Sequence, residues 1–367
     1  MLPSSASQVT TSFDTYVSEG VSLQLWDGTS LTAIKTPRHD LGTRARPFPQ
    51  QRHFFHAAAT GASARWLRER VGPPPAVYER LLREDVGGFV SWTYPDATPA
   101  QLRALTDFHN WSVWLDDMMD RRSTLDTSLL ACSAMEGVDS ANDVIGDIAM
   151  APFDDFFQRM RNLGMSTWCA DRFVQAMHAY GSSSRAEVRA REGGARFASV
   201  ADYIANRRAS AAMPVYFALI TWISRVDLPG EVYRHPLVRR LENGCSDYCL
   251  LYNDAGSFVK EHLAGRSEGT FVRLLSQATG LSVQNTLYEV ADMAAAAADD
   301  LEATSDRIDD CDLPAHHREQ IHHYARGLRA FIGGVNIWSN NTVRYTVGQD
   351  FTDTAPTSRS GDVHHLR

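Results

Sequence analysis

The sequence predicts an all-α fold, a single helical core of roughly 300 of its 367 residues. Three observations lead there: segments of helical length follow one another between Gly/Pro breakers, few stretches alternate with the period of two that a strand needs, and no internal repeat divides the chain. Residues 1–45 are rich in Ser, Thr and Gly with little helical periodicity, which predicts a poorly ordered N-terminal extension. From Pro47 the pattern changes, and 54–71 and 75–87 read as helices separated by the breaker Gly72-Pro73-Pro74-Pro75. Thr98-Pro99-Ala100-Gln101 is a helix start, with the threonine as cap and the proline in the first turn, where its missing N–H has no helical partner to lose. That helix should run through Trp111 and Trp114 into an acidic cluster at 116–120. Further helices are expected near 142–162, 168–181, 199–221, 236–263, 268–302 and 314–339. The core domain is taken as 46–347, and the polar stretch 348–367 as a flexible tail.

Composition excludes several classes. Hydrophobic residues make up 44% and charged residues 22%, which fits a packed core rather than disorder. The net charge of −8 disfavours a nucleic-acid partner, since phosphate backbones need a basic surface. An anionic substrate would have to be met locally, by metal ions or a few arginines. No run of 18 apolar residues exists, so no membrane span is expected, and the polar start Met-Leu-Pro-Ser-Ser offers no signal core. The five cysteines (Cys132, Cys169, Cys245, Cys249, Cys311) are odd in number and scattered, which argues against a disulfide framework and for a cytoplasmic location. Cys245 and Cys249 share a helix face and read as buried packing.

Three clusters carry chemistry. The first is Trp111-Ser112-Val113-Trp114-Leu115-Asp116-Asp117-Met118-Met119-Asp120. Asp116 and Asp120 share a helix face, with Asp117 about 100° round the axis. Three carboxylates within about 6 Å of helix rise repel one another unless cations sit among them, and Mg²⁺ takes oxygen ligands while keeping waters and substrate phosphates in its shell. The second is Asn253-Asp254-Ala255-Gly256-Ser257-Phe258-Val259-Lys260-Glu261, in which Asn253, Ser257 and Glu261 form one i, i+4, i+8 stripe of oxygen donors. A single carboxylate with two neutral oxygens suits a hard dication that still needs anionic ligands from elsewhere, such as a diphosphate. Lys260 could reach the same phosphate. The third is Trp338-Ser339-Asn340-Asn341-Thr342-Val343-Arg344-Tyr345, whose guanidinium and phenol are both phosphate donors. Asp299-Asp300-Leu301-Glu302 and Asp309-Asp310 do not complete an aspartate-rich motif, and His316-His317 and His322-His323 read as a solvated helix face.

In this order the clusters resemble the microbial class I terpene synthases, over about residues 47–347. Asp116-Asp117-Met118-Met119-Asp120 matches that family's DDxxD motif, Asn253, Ser257 and Glu261 its NSE triad, and Arg344-Tyr345 its Arg-Tyr pair. The resemblance implies a helical bundle around a central cavity. It further implies three Mg²⁺ ions, with Mn²⁺ as a substitute, clamping the diphosphate of a prenyl substrate: two at the first motif and one at the triad. It also implies an upstream arginine that senses diphosphate, followed by a helix-break glycine whose carbonyl triggers ionisation. Aligning Tyr203-Ile204-Ala205-Asn206-Arg207-Arg208-Ala209-Ser210-Ala211-Ala212-Met213-Pro214 on the double arginine and the proline makes Arg208 the sensor, Arg207 the close alternative, and puts Ala212 at the glycine position. Arg208, Lys260, Arg344 and Tyr345 would then donate to the leaving diphosphate. Ser112 and Val113, one turn above Asp116, should face the cavity, with Trp338 the first aromatic candidate for its wall and Phe89 and Phe217 the next. The implied activity is cyclisation of farnesyl diphosphate to a sesquiterpene. The alternatives are geranylgeranyl or geranyl diphosphate as substrate and a silent diphosphate-binding homologue, with a homodimer as the assembly to test for. A histidine–aspartate phosphohydrolase would need a His-Asp doublet, and only His39-Asp40 occurs, in the non-periodic N-terminal stretch.

Overall fold

The computed structural model describes residues 22–37, 48–121, 144–192 and 197–345, without the side chains of 117–121, 144–150 and 185–192. Among the described residues the regular structure is helical, apart from one isolated bridge between Gln24 and Ser30. In chain order the helices are α1 His56–Trp66, α2 Pro75–Arg83, α3 Val86–Thr93, α4 Pro99–Arg121, α5 Val144–Asn162, α6 Thr167–Glu192 and α7 Val200–Ser210. They continue with α8 Met213–Ile223, α9 Gly230–Tyr233, α10 Pro236–Leu263, α11 Phe271–Thr279, α12 Val283–Ser305 and α13 Ala315–Asn341. A single 3₁₀ turn, Val343–Tyr345, follows α13.

Local signals explain many of the boundaries. The start of α4 is a reciprocal capping box: Thr98 Oγ1 accepts the Gln101 N–H at 3.3 Å, and Gln101 Oε1 accepts the Thr98 N–H at 2.9 Å. Helix α10 spans the expected 236–263, opening with Pro236 in its first turn. It packs along α12 and against α13. Helices α4, α5 and α6 meet over an aromatic cluster in which Phe108 lies 5.5 Å from Phe156 and 5.4 Å from Phe173. Helix α13 presses against the end of α3 at Gly334, where an added Cβ would stand 2.6 Å from the Thr93 nitrogen. Only a glycine allows that approach, and it brings Trp338 beside Phe89.

Elsewhere the structure departs from the sequence reading. The expected 75–87 helix breaks at Glu84-Asp85, where Asp85 takes a φ of 50° and its carboxylate accepts the Gly88 N–H at 2.9 Å. The expected 268–302 helix divides at Gly280, whose φ of 73° ends α11 before Ser282 caps α12. The expected 168–181 helix runs on through Gly181 and three serines to Glu192, past residues of weak helix propensity. The 199–221 helix divides at Ala211-Ala212, since the ring of Pro214 would clash with the Ser210 carbonyl in a continuous helix. Ala212 takes a φ of 58°, a left-handed conformation that costs an alanine about 1–2 kcal/mol. Ala212→Gly should therefore stabilise the fold by about 1 kcal/mol, read as a midpoint rise of about 1–2 °C in thermal unfolding of a chain this long. An unchanged or lowered midpoint would contradict that strain.

The N-terminal extension also needs correction. Within 1–45, residues 22–37 pack on the core: Leu25, Leu31 and Ile34 are buried, and Trp26 meets Phe258 edge-on at 5.9 Å. Trp26 Nε1 donates to Ser276 Oγ at 3.1 Å, and His262 Nε2 lies 2.8 Å from the Ser22 carbonyl. This strap braces the side of α10 that carries Phe258 and His262, about 100° round the helix from Ser257 and Glu261. Its few apolar residues are too widely spaced to give a periodic signal. Residues 348–367, His39-Asp40 and Cys132 lie outside the described residues. Cys169, Cys245 and Cys249 are buried and free. The late acidic pairs are structural: Asp300 pairs with Arg240, Glu302 with Arg329 and Asp309 with His322.

Candidate active site

A cavity of about 380 Å³ opens among α3, α4, α6, α7, α8, α10 and α13. Asp116 reaches it from α4, and Asn253, Ser257, Lys260 and Glu261 reach it from α10 as one stripe, as their spacing predicts. The 3₁₀ turn carrying Arg344 and Tyr345 lies between these two helices. Asn253 Nδ2 donates to the Tyr345 hydroxyl at 2.7 Å, and Arg344 Nη2 is 3.6 Å from Asp116 Oδ2. Tyr180 on α6 donates to Asp116 Oδ1 at 3.0 Å. Asp117 and Asp120 are on the same helix as Asp116, but their side chains lie outside the described residues.

Most of these oxygen donors are already held by a cation or a phenol. Arg207 Nη2 donates to Asn253 Oδ1 at 3.1 Å and to Asp254 Oδ1 at 3.3 Å, and Tyr203 holds the other Asp254 oxygen at 3.0 Å. Arg266, which the sequence reading missed, donates to Glu261 Oε2 at 2.6 Å. Burial works to raise the Glu261 pKa, but the charges of Lys260, Arg266 and Arg207, with the Arg266 hydrogen bond, outweigh it. The carboxyl is held below its ordinary value and is ionised at neutral pH. Arg344 is anchored from behind by Glu84 at 2.9 Å, a carboxylate only 1% exposed that Arg80 also holds at 2.6 Å. Trp338 Nε1 donates to the Glu84 and Asp85 carbonyls at 3.1 and 2.8 Å, so the corner between α2 and α3 positions both Trp338 and Arg344.

Three sequence assignments change. Arg208 does not reach the cavity: it forms a two-pronged bond to Asp247, 2.7 Å at each oxygen, and Arg207 is the arginine on the wall. Neighbouring helix residues point about 100° apart, so only one of the two can face inward. Phe217 is buried in the core, and the same rotation puts Tyr216 on the wall. Ala212 lines the cavity, but its carbonyl accepts the Val215 and Tyr216 N–H groups at 3.0 and 3.2 Å and so belongs to the start of α8.

The family model described as "Terpene synthase family 2, C-terminal metal binding" matches residues 107–300, more than half of the chain. The chain belongs to the terpene synthase family. It is 27% identical over 321 residues to the 4-epi-cubebol synthase ((2E,6E)-farnesyl diphosphate cyclizing) of Streptosporangium roseum, covering 82% of this chain and 90% of that one. It is 25% identical to Sesquiterpene synthase 3 of Postia placenta, covering 87% and 86%. In fold it is similar to a single-substitution variant of cucumene synthase, with a TM-score of 0.71 at 22% identity over 81% of this chain and 99% of that one. The linalool/nerolidol synthase of Streptomyces clavuligerus superimposes with a TM-score of 0.69 at 20% identity, covering 79% and 98%.

Beyond the polar mouth, the wall of this terpene synthase is apolar and aromatic. Ser112, Val113, Phe89 and Trp338 all line it, as the sequence predicts, and Phe89 meets Trp338 edge-on at 5.2 Å. His109 and Tyr216 stack at 5.7 Å and 8°. His109 was missed although it lies seven residues before Asp116, on the same helix face. Its Nδ1 is 2.7 Å from the Leu105 carbonyl, which can only accept, so Nδ1 carries the proton. Burial pushes the imidazole down to about 4, so it is neutral at pH 7 and does not repel a cation in the cavity. Burial likewise raises the Tyr216 phenol, which stays protonated.

The donor set fits a hard dication. Asn253 Oδ1, Ser257 Oγ and an ionised Glu261 converge from one helix, and oxygen ligands of mixed charge suit Mg²⁺ over softer ions. Among the described residues no three His, Cys, Asp or Glu side chains gather as a metal cluster, consistent with a triad that has only one carboxylate. No described helix is long and apolar enough to cross a membrane.

Proposed function

We propose that this protein is a Mg²⁺-dependent sesquiterpene cyclase that ionises farnesyl diphosphate and cyclises the resulting cation with release of diphosphate. The observation that carries the reading is the Arg344-Tyr345 turn, which joins Asp116 on α4 to Asn253 on α10 at the mouth of an aromatic chamber. Asp116, Asp117 and Asp120 would hold two ions, and Asn253, Ser257 and Glu261 a third. Bound metal would supply Lewis-acid stabilisation of the leaving diphosphate. Arg207, Lys260, Arg344 and Tyr345 place their donors where the diphosphate gains negative charge. With Arg207 as the diphosphate sensor, the trigger position moves from Ala212 to Ala211, which also lines the cavity. The apolar wall excludes water that would quench the cation, and each aromatic face stabilises positive charge by about 0.5–2 kcal/mol.

The relatives' names support a C15 chain, one specifying farnesyl diphosphate and the other a sesquiterpene. The cavity, at about 380 Å³, is within the range of small-molecule pockets, about 300 to 1,000 Å³. Incubation with C10, C15 and C20 diphosphates, followed by gas chromatography of the extracts, should give hydrocarbons or alcohols from the C15 substrate. Product from the C20 substrate alone would overturn the choice of farnesyl diphosphate. Val113→Phe should shorten the chamber by several ångströms, on the order of one ring, and shift products towards smaller or less cyclised ones. An unchanged product profile would remove Val113 from the depth-setting wall.

A further inference from the structure

Glu261 ends the Asn-Ser-Glu stripe, and α10 stops two residues later at Leu263. The chain then turns back on itself. Gly265 takes a φ of 72°, its N–H bonds the His262 carbonyl at 2.9 Å, and the Arg266 N–H bonds the Glu261 carbonyl at 2.9 Å. These are the paired 5→2 and 6→1 bonds of a Schellman motif, which needs a left-handed residue at its turn and finds a glycine there. The motif returns residue 266 to the helix end beside Glu261. Arg266 therefore reaches the Glu261 carboxylate from a backbone position fixed by two hydrogen bonds. Both side chains are 22% exposed and line the cavity, so neither is a surface pair held by chance geometry.

The pairing conflicts with metal binding. A dication at the stripe would take the Glu261 carboxylate, whose Oε2 already accepts from Arg266 Nε. A guanidinium and a dication held against one carboxylate repel each other, and the double charge of the ion doubles the repulsion that a single charge would feel. The metal and Arg266 therefore compete for Glu261. The Schellman turn fixes the Arg266 backbone, so the guanidinium, not the chain, has to move. The cavity mouth it lines is where Lys260, Arg207 and Arg344 also gather.

Resting on the reading of the site as a metal–diphosphate centre, we infer that Arg266 is an exchange residue: it pairs with Glu261, yields that carboxylate to the metal, and then donates to the diphosphate of the substrate. The exchange makes metal binding unfavourable until diphosphate is present to receive the displaced guanidinium. Metal and diphosphate then load with positive coupling, which by linkage is the same from either side.

The test is titration calorimetry on the full chain with magnesium chloride alone, and with inorganic diphosphate at saturating magnesium. Arg266→Gln should bind Mg²⁺ alone about tenfold more tightly, because the competitor is gone. It should bind diphosphate about tenfold or more weakly, because a charge-assisted donor is lost. Arg240→Gln is the control for charge at a distance, since Arg240 pairs with Asp300 and neither residue lines the cavity. It should move neither affinity by more than about twofold. Unchanged affinities in Arg266→Gln, two affinities that fall together, or an equal response in Arg240→Gln would each overturn the exchange. A wild-type protein that binds neither magnesium nor diphosphate would instead remove the functional reading on which it rests.

Discussion

Asn253→Ala and Asp116→Ala should each lower turnover of farnesyl diphosphate about a hundred- to a thousandfold or more, with the protein still folded. The expectation follows from where the two residues stand. Each lines the cavity from one of the two helices that face each other across the Arg344-Tyr345 turn, and each presents the oxygen that a dication would take. Removing one preorganised electrostatic contact from a developing anion costs about two to three powers of ten in rate, and loss of a metal ligand costs at least as much. The structural cost is smaller. Asn253→Ala removes one bond to Tyr345 and one from Arg207, each worth about 1 kcal/mol of stability for a neutral pair and up to about 3 with a charged partner. Circular dichroism and thermal unfolding should therefore show a native fold while gas chromatography shows little product. Excess chelator on the wild-type chain should abolish activity, and its restoration by Mg²⁺ should be complete. Full turnover in chelator would remove the metal from the mechanism.

How much of this was legible in the sequence depended on whether the signal was local. Helix α10 was read over its observed span because Pro236 opens it and Gly265 closes it, and both act within one turn. The stripe of Asn253, Ser257 and Glu261 needed only the helical period. The break at Ala212 was also written locally, in Pro214, and the resemblance implied a helix break at that position, although segment length alone read 199–221 as one helix. Phe217 and Arg208 failed for a common reason. Each sits next to the residue that faces the cavity, and a one-residue error in register rotates a side chain by about 100°. The Glu84–Arg344 anchor joins residues 260 positions apart, and no periodicity reports such a contact. The strap at 22–37 was missed because burial there rests on a few anchors, chiefly Leu25, Leu31 and Ile34, rather than on a repeating face. Arg266 was visible only through its turn: Ala264-Gly265-Arg266 after Lys260-Glu261 is a Schellman signature, but what it brings together depends on which face Glu261 shows.

Arg207→Ala should weaken inhibition by inorganic diphosphate about ten- to a hundredfold, whereas Arg208→Ala should change it by no more than about threefold. Both arginines belong to α7 and both are partly exposed, so composition alone does not separate them. Their partners do. Arg207 reaches Asn253 and Asp254 at the cavity wall, and its guanidinium stands beside the atoms that would meet metal and phosphate. A lost charged hydrogen bond of about 1.5–3 kcal/mol corresponds to that ten- to hundredfold range. Arg208 is taken up by Asp247 in a two-pronged pair, side chains 35% and 23% exposed, and that bond with the Asp247 charge raises its pKa. To serve the diphosphate it would have to abandon both bonds and turn about 100° round the helix. Its removal breaks a partly solvated pair worth about 0–1 kcal/mol, which should show in stability and not in inhibition. The measurement is the inhibition constant of diphosphate at saturating Mg²⁺ for the two variants side by side. A larger loss in Arg208→Ala would mean that α7 rotates when substrate binds, and would return the trigger position from Ala211 to Ala212.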